Sequence, residues 1–182
     1  YMKSNEKNLN KSSNIDGQVV NDFGEEWSRF PQDDFNEDEK NIIFDDYFKI
    51  FPWDIINAHS TGADIGCGSG RWATLVAPRV GKLYCLDASI DALAVAKQNL
   101  ENHSNVIFEK SDVGSLPFQD EELDFAYSLG VLHHVPDTAA AIANVARVLK
   151  SDAPLLLYLY YAFDNKPSWY KLIWKISDIF RR

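Results

Sequence analysis

Four stretches of this chain carry residues whose types and spacing can do chemistry. The first is Asp64-Ile65-Gly66-Cys67-Gly68-Ser69-Gly70. Glycines let the backbone turn tightly and admit a ligand where a Cβ would clash. A helix beginning near Arg71 would point unpaired N–H groups and a positive dipole end at that ligand, which suits a carboxylate or phosphate. The second is Asp87, 23 residues after Asp64. An acid roughly 20 residues beyond a glycine loop can accept both hydroxyls of a ribose. The third is Asp112, which can accept an amino proton from an adenine ring. The fourth is Ser128-Leu129-Gly130, running into Val131-Leu132-His133-His134. A glycine cluster alone is a weak signal, because a tight turn with no ligand reads the same way. Either acid alone reads equally well as a solvated loop residue. All of them in order, at these spacings, are much harder to obtain by chance.

These stretches can meet only if the surrounding elements bring them to one place. From residue 60 the chain alternates strand and helix patterns. Thr61–Ile65 reads as a strand, and 71–79 as a helix with Trp72, Leu75 and Val76 on one face. A second strand, 83–86, ends at Asp87, and a helix follows over 90–102 with Leu93, Ala94, Ala96 and Leu100 inward. Strands are expected at 106–109 and, after the Leu116-Pro117-Phe118 turn, at 123–129. An Ala-rich helix follows at 138–149, then a strand at 154–160 whose continuous apolar run suits burial on both faces. A last helix is expected at 167–180. Such alternation implies an α/β fold, a doubly wound and mainly parallel sheet with helices on both faces. Ligands of these sheets bind at the carboxyl ends of the strands, near the topological switch point. All four stretches fall just there.

The flanks and the bulk composition narrow the rest. Residues 1–20, rich in Asn, Lys and Ser, read as a disordered leader. Residues 21–58 read as an N-terminal helical cap, with Asp34 or Asn36 capping a helix to about Phe48 and Pro52 ending it. Residues 59–182 then form the main domain. A chain of 182 residues can bury a core without metal or disulfide. The net charge of −9 argues against a nucleic-acid backbone as the main partner, although a local basic groove stays open. Cys67 and Cys85 read as buried free thiols, and with no apolar leader segment they fit a reducing cytoplasm. No apolar run reaches the ~20 residues of a membrane span. No His, Cys or Asp group has metal-ligand spacing, so no metal is expected.

Together these motifs resemble the class I S-adenosylmethionine-dependent methyltransferases, in particular the small-molecule group related to ubiquinone and menaquinone biosynthesis. Asp64 to Gly70 is similar to that family's acid-x-Gly-x-Gly-x-Gly motif, with every position filled. Leu83-Tyr84-Cys85-Leu86-Asp87-Ala88-Ser89 resembles its second-strand motif. Ser111-Asp112-Val113, with Leu116-Pro117-Phe118, resembles the adenine-side loop. Leu123-Asp124-Phe125-Ala126-Tyr127-Ser128, running into Leu132-His133-His134-Val135, resembles the fourth-strand motif. The likeness covers about residues 60–160.

The resemblance implies a Rossmann-like fold, S-adenosylmethionine as cofactor with S-adenosylhomocysteine as product, and a small-molecule methyl acceptor. Gly66, Cys67, Gly68 and Gly70 would admit the methionine part, and Asp64 would orient its ammonium, directly or through water. Asp87, with Ala88 and Ser89, would hold the ribose, and Asp112 the adenine amino group. Val113, Ser128, Leu129 and Gly130 would line the cofactor. Transfer to an O, N or C atom needs mainly alignment and exclusion of water. A base matters only for a protonated acceptor, and His134 is the candidate ahead of His133. Trp27, Arg29 and Phe30 of the cap are candidates to line the acceptor pocket.

The sequence also departs from the family. A seven-stranded family sheet ends in a hairpin beside the fifth strand, and no such hairpin precedes Arg182. The expectation is a fragment of a longer enzyme, or a homodimer that covers the open edge. The last helix carries a broad apolar face flanked by Trp, Tyr, Lys and Arg, which fits burial against the domain or peripheral contact with a membrane. Two rival functions remain. A nicotinamide-dependent oxidoreductase needs Gly-x-Gly-x-x-Gly, and here Arg71 occupies the last position. A non-catalytic module that keeps the cofactor fold is the other.

Overall fold

Five short apolar runs form one parallel sheet. In the computed structural model, which describes residues 14–18, 20, 36–160, 167–169 and 173, they are β1 (Thr61–Ile65), β2 (Lys82–Asp87), β3 (Val106–Lys110), β4 (Phe125–Leu129) and β5 (Leu155–Tyr158). Their order across the sheet is β3-β2-β1-β4-β5, and every pairing is parallel. The chain moves outward from β1 to β3, then returns to lay β4 on the other side of β1. The direction of winding therefore switches between β1 and β4, which opens a crevice at their carboxyl ends.

Strand alternation divides the core between two faces. Leu83, Cys85, Phe125 and Tyr127 point to one face, where they pack with Val76, Leu93 and Leu100. Ala63, Ile65, Leu86 and Ala126 point to the other, against Ala141, Val145 and Val148. The first face is covered by α1 (Glu37–Phe48), α2 (Ala73–Val76) and α3 (Ile90–Asn99), and the second by α4 (Thr138–Val148). The sheet is thus covered on both sides, as the alternation of patterns predicts.

Helix starts follow their caps. Asn36, Ser89 and Asp137 each accept a backbone N–H from the first turn of α1, α3 and α4. On α3, Ala92 rather than Ala94 lies inward; Ala94 is exposed, opposite the Leu93 and Ala96 side. The helix expected over 71–79 is one α-turn, followed by a 3-10 turn at Ala77–Arg79. Pro78 explains the break, since its ring supplies no N–H to continue the ladder. α1 packs its aromatic side onto the sheet, with Phe48 edge-on to Tyr127 and Phe44 stacked on Phe48.

Two expectations need correction. The fifth strand is not buried on both faces: among the described residues β5 is the last strand of the sheet, only its Leu156 is buried, and Tyr158 is exposed. The end of the expected disordered leader is placed: Asn14 donates to the Asp137 carbonyl at 2.7 Å and accepts from the Asp137 N–H at 2.9 Å. That two-point clamp holds residues 14–18 against the domain. Trp27, Arg29 and Phe30 lie outside the described residues, as does most of 167–180, of which Trp169 and Ile173 are helical and exposed. Among the described residues no helix is long and apolar enough to cross a membrane.

Gly62 shows how closely the first face is packed. A Cβ there would sit 2.2 Å from the ring of fully buried Phe125. Gly62→Ala is expected to destabilise the fold by about 1–3 kcal/mol in urea unfolding, through overpacking. Phe125→Leu in that background should recover part of the loss. A Gly62→Ala chain as stable as wild type would show that the ring does not lie over the glycine.

Candidate functional site

The crevice at the carboxyl ends is built from the loops that leave β1, β2, β3 and β4. After β1 the chain doubles back toward β2. Gly66 N–H and Cys67 N–H both donate to the Leu86 carbonyl, at 2.8 and 3.0 Å. Gly68 N–H donates to Asp87 Oδ2 at 2.9 Å. Gly66, Gly68 and Gly70 take φ of +77°, +53° and +75°, a region that side chains with a Cβ rarely adopt. At Gly66 a Cβ would also fall 2.5 Å from Val131, across the crevice.

Asp87 is the hub of the second loop. Its Oδ1 accepts from Ser89 N–H at 2.8 Å, while the Ser89 hydroxyl caps α3. Burial pushes the Asp87 carboxyl up, and the N–H groups of Ser89 and Gly68 pull it back. Each carboxylate oxygen keeps a further lone pair for a ligand hydroxyl. The third loop turns at Asp112, whose Oδ1 accepts from Gly114 N–H at 2.7 Å. Asn144 on α4 donates to the Val113 carbonyl at 2.5 Å and fixes the same loop. The fourth loop pivots at Gly130, whose N–H bonds the Tyr158 carbonyl at 2.9 Å.

The crevice brings together Gly66, Cys67 and Gly68 with Asp87, Ala88 and Ser89. Of the predicted set, Asp112, Val113, Leu129, Gly130 and His134 line it too. Asp64, Gly70 and Ser128 do not line it. Gly70 lets the loop lie against α3, where a Cβ would be 2.7 Å from Leu100. Ser128 donates to the Ile65 carbonyl at 2.7 Å and ties β4 to β1 just past their last paired residues. The sequence reading missed Arg71, Trp72, Ile15 and Asp16, which also line the crevice. Arg71 and Trp72 follow the glycine loop directly, so their position in the chain was the available signal. Nothing in the pattern marked Ile15 or Asp16.

Asp64 has an unusual setting. It stands in register between Cys85 on β2 and Tyr127 on β4, on the sheet face covered by α1 and α3. It is 3% exposed, and neither its Oδ2 nor the Tyr127 hydroxyl completes a hydrogen bond. Burial pushes its carboxyl up to about 8; the nearby Tyr127 hydroxyl pulls it down and Asp87 pushes it further up. Contact with the Cys85 thiol, then burial, holds the Cys67 thiol well above its ordinary value. Cys67 therefore stays protonated and is no nucleophile. Burial lowers both His133 and His134, the former also through its neighbour, so both imidazoles are neutral at pH 7. Their rings lie 4.0 Å apart, and Tyr160 meets His133 edge-on at 4.5 Å.

A doubly wound parallel sheet with a glycine loop, an acid at the end of β2 and an acid after β3 defines a Rossmann-like domain. A family model described as a methyltransferase domain matches residues 63–157, just over half of the chain, and the chain belongs to that family. It is 36% identical over 104 residues to the uncharacterized methyltransferase YcgJ of Bacillus subtilis, covering 56% of this chain and 41% of YcgJ. It is 32% identical over 94 residues to a demethylmenaquinone methyltransferase of Staphylococcus carnosus, covering 50% of this chain and 39% of that enzyme. The crystal structure of YcgJ superposes with a TM-score of 0.59 at 29% identity, over 70% of this chain and 52% of that one. The chain thus spans less than half the length of these two curated relatives.

Asp64 generates a pH prediction. Between its ordinary value of 3.8 and about 8, the folded ligand-free chain holds a proton there that the unfolded chain has released. Its contribution to stability is therefore largest below the lower value and is lost as pH rises through the upper one. The melting temperature of wild type should fall between pH 6 and pH 8.5, and Asp64→Asn should flatten that fall and melt higher at pH 8.5. Parallel melting curves for the two proteins would contradict the buried, raised carboxyl.

Proposed function

We propose that this chain is the S-adenosylmethionine-binding part of a methyltransferase that acts on an O, N or C atom of a small-molecule acceptor. The observation that carries this reading is the convergence of a glycine cradle, Asp87 and Asp112 on one crevice at the sheet's switch point. The residues present fit the cofactor. A Cβ at Gly66 would fill the cradle, and Asp87 keeps lone pairs for a ribose diol. Asp112 keeps an oxygen for an exocyclic amine. The unpartnered, buried Asp64 oxygen behind the loop favours a cation in front of it. When bound, the cofactor supplies an electrophilic methyl group on a cationic sulfur, with a good leaving group already in place. The demethylmenaquinone relative supports a small molecule as acceptor.

The chain's own residues then have three tasks. The glycine loop and Asp87 orient the cofactor through groups already held by the fold, so little ordering remains to be done on binding. Leu129, Val131 and Leu132 give the crevice apolar walls that exclude water. His134 is the one of the paired imidazoles that reaches the crevice, and its lowered affinity for protons leaves it neutral. A neutral imidazole can take a proton from an acceptor hydroxyl or amine as the methyl group arrives. Asp64 acts on the ammonium through the loop or a water, since its carboxyl stands behind the crevice wall. The two buried free thiols fit a reducing, cytoplasmic setting.

Calorimetric titration with S-adenosylhomocysteine tests this reading. Wild type is expected to bind with a dissociation constant on the order of micromolar. Asp87→Ala should weaken it by roughly 10-fold or more, the loss of charge-assisted hydrogen bonds to the ribose. Absence of binding by a folded wild-type sample would contradict the assignment.

A further inference from the structure

The two sides of the crevice differ in chemistry. Asp87 ends β2 and Asp112 follows β3, so these acids lie on the β2–β3 side of the glycine loop. The β4–β5 side is aromatic. Trp72, Tyr47, Tyr158, Tyr160, His133 and His134 form, in that order, an unbroken arc of ring contacts. Successive centroids are 5.5, 4.9, 5.6, 4.5 and 4.0 Å apart. The two end members, Trp72 and His134, both line the crevice. The arc thus leaves the crevice beside the glycine loop and returns to it in the turn after β4.

Strand alternation and one helix build the arc. Tyr158 closes β5 and Tyr160 lies two residues further on, so both follow Leu156 onto the face covered by α1, opposite Leu157 and Leu159. Tyr47 on α1 meets Tyr158 edge-on. Tyr158 is 37% exposed and Tyr160 63%, and the other four rings are half-buried. Rings that keep open faces while their neighbours fix them offer flat apolar surface with little left to order on binding. Burial raises the Tyr47 phenol and lowers both imidazoles, so these three rings carry no charge at neutral pH. Both ring nitrogens of His133 are buried and lack a hydrogen-bond partner. A buried nitrogen left unpaired is costly, and a guest bearing a hydroxyl or amine would pair it.

Resting on the cofactor reading above, the geometry points to this arc as the acceptor's subsite, and to an uncharged aromatic ring bearing a hydroxyl or amine as the acceptor class it takes. Tyr158 and Tyr160 set the preference for a flat ring, because an aromatic guest gains ring-to-ring contacts that an aliphatic one of equal area does not. His133 pairs the polar substituent and so fixes which edge of the guest turns toward the crevice. These are binding and positioning residues with no part in the transfer step.

Wild type, Tyr160→Leu and Tyr160→Phe, each saturated with S-adenosylhomocysteine, are titrated with naphthol, decahydronaphthol and tetramethylammonium and followed by amide NMR. The first two probes share a carbon skeleton and a hydroxyl and differ only in ring saturation. Circular dichroism and retained affinity for S-adenosylhomocysteine check that the variants fold. Wild type should bind naphthol roughly 5-fold or more tighter than decahydronaphthol, with shifts at Val131, His133, Tyr158 and Tyr160. Tyr160→Leu should lose roughly 3- to 10-fold for naphthol and stay within about two-fold for decahydronaphthol, the size of a lost ring pair. Tyr160→Phe should keep the wild-type preference. No binding of naphthol, equal affinity for the two alcohols, shifts elsewhere, or equal losses in Tyr160→Leu overturn the aromatic subsite while leaving the cofactor site standing. Tighter binding of tetramethylammonium than of naphthol overturns the uncharged class in favour of a cation held by the rings. A folded wild-type chain that does not bind S-adenosylhomocysteine overturns the cofactor reading and this assignment with it.

Discussion

The loop after β1 is pinned to the end of β2, and the rest of the site depends on that attachment. Two successive N–H groups share the Leu86 carbonyl, and the next one along closes on the Asp87 carboxylate. Such a reversal within three residues forces positive φ at Gly66 and Gly68, so the glycines follow from the attachment rather than from any ligand. The other oxygen of Asp87 fixes Ser89, and Ser89 starts α3. One carboxylate therefore sets the loop, the helix behind it and the floor of the crevice. A nucleoside ligand meets a surface that is formed before it arrives.

The same attachment has a cost behind the wall. Asp64 is carried into the apolar face between Cys85 and Tyr127, where it is almost wholly buried. An apolar residue at this place would pack without the unsatisfied oxygen, so the fold alone gives no reason for an acid. A cation bound in front of the loop would relieve the burial that holds the carboxyl protonated. Stability of the ligand-free chain and affinity for a cationic ligand are thus set against each other at one residue, a conflict typical of functional sites.

The sheet and the core of the site were legible in the sequence because they depend on local signals. Strand periodicity gave the five strands, and residues just past strand ends gave Asp87, Asp112 and the glycine loop. What was not legible depends on tertiary placement. Leu155, Leu156 and Leu157 read as a run buried on both faces, yet of the three only Leu156 is buried, because β5 borders a single strand of the described sheet. Trp72, read from helical spacing as part of an apolar face, does pack against the core beside Phe44, but it also lines the crevice next to Arg71, which the spacing does not show. Pro78 was visible and marked the break, but the apolar pattern of 71–79 hid it. The Asn14 clamp joins residues 123 apart in the chain and follows no pattern at all.

The central claim is that the crevice at the carboxyl ends of the strands holds the cofactor. Backbone amide NMR of the isotope-labelled chain, titrated with S-adenosylhomocysteine, tests it most directly. The account predicts shifts concentrated at Gly66, Cys67 and Gly68, at Ala88 and Ser89, at Asp112 and Val113, and at Gly130 and Val131. Amides at the opposite ends of the strands, such as Ser60, Asp124 and Ser151, should stay still. A spectrum unchanged at saturating ligand, or shifts centred on that opposite end, would contradict it.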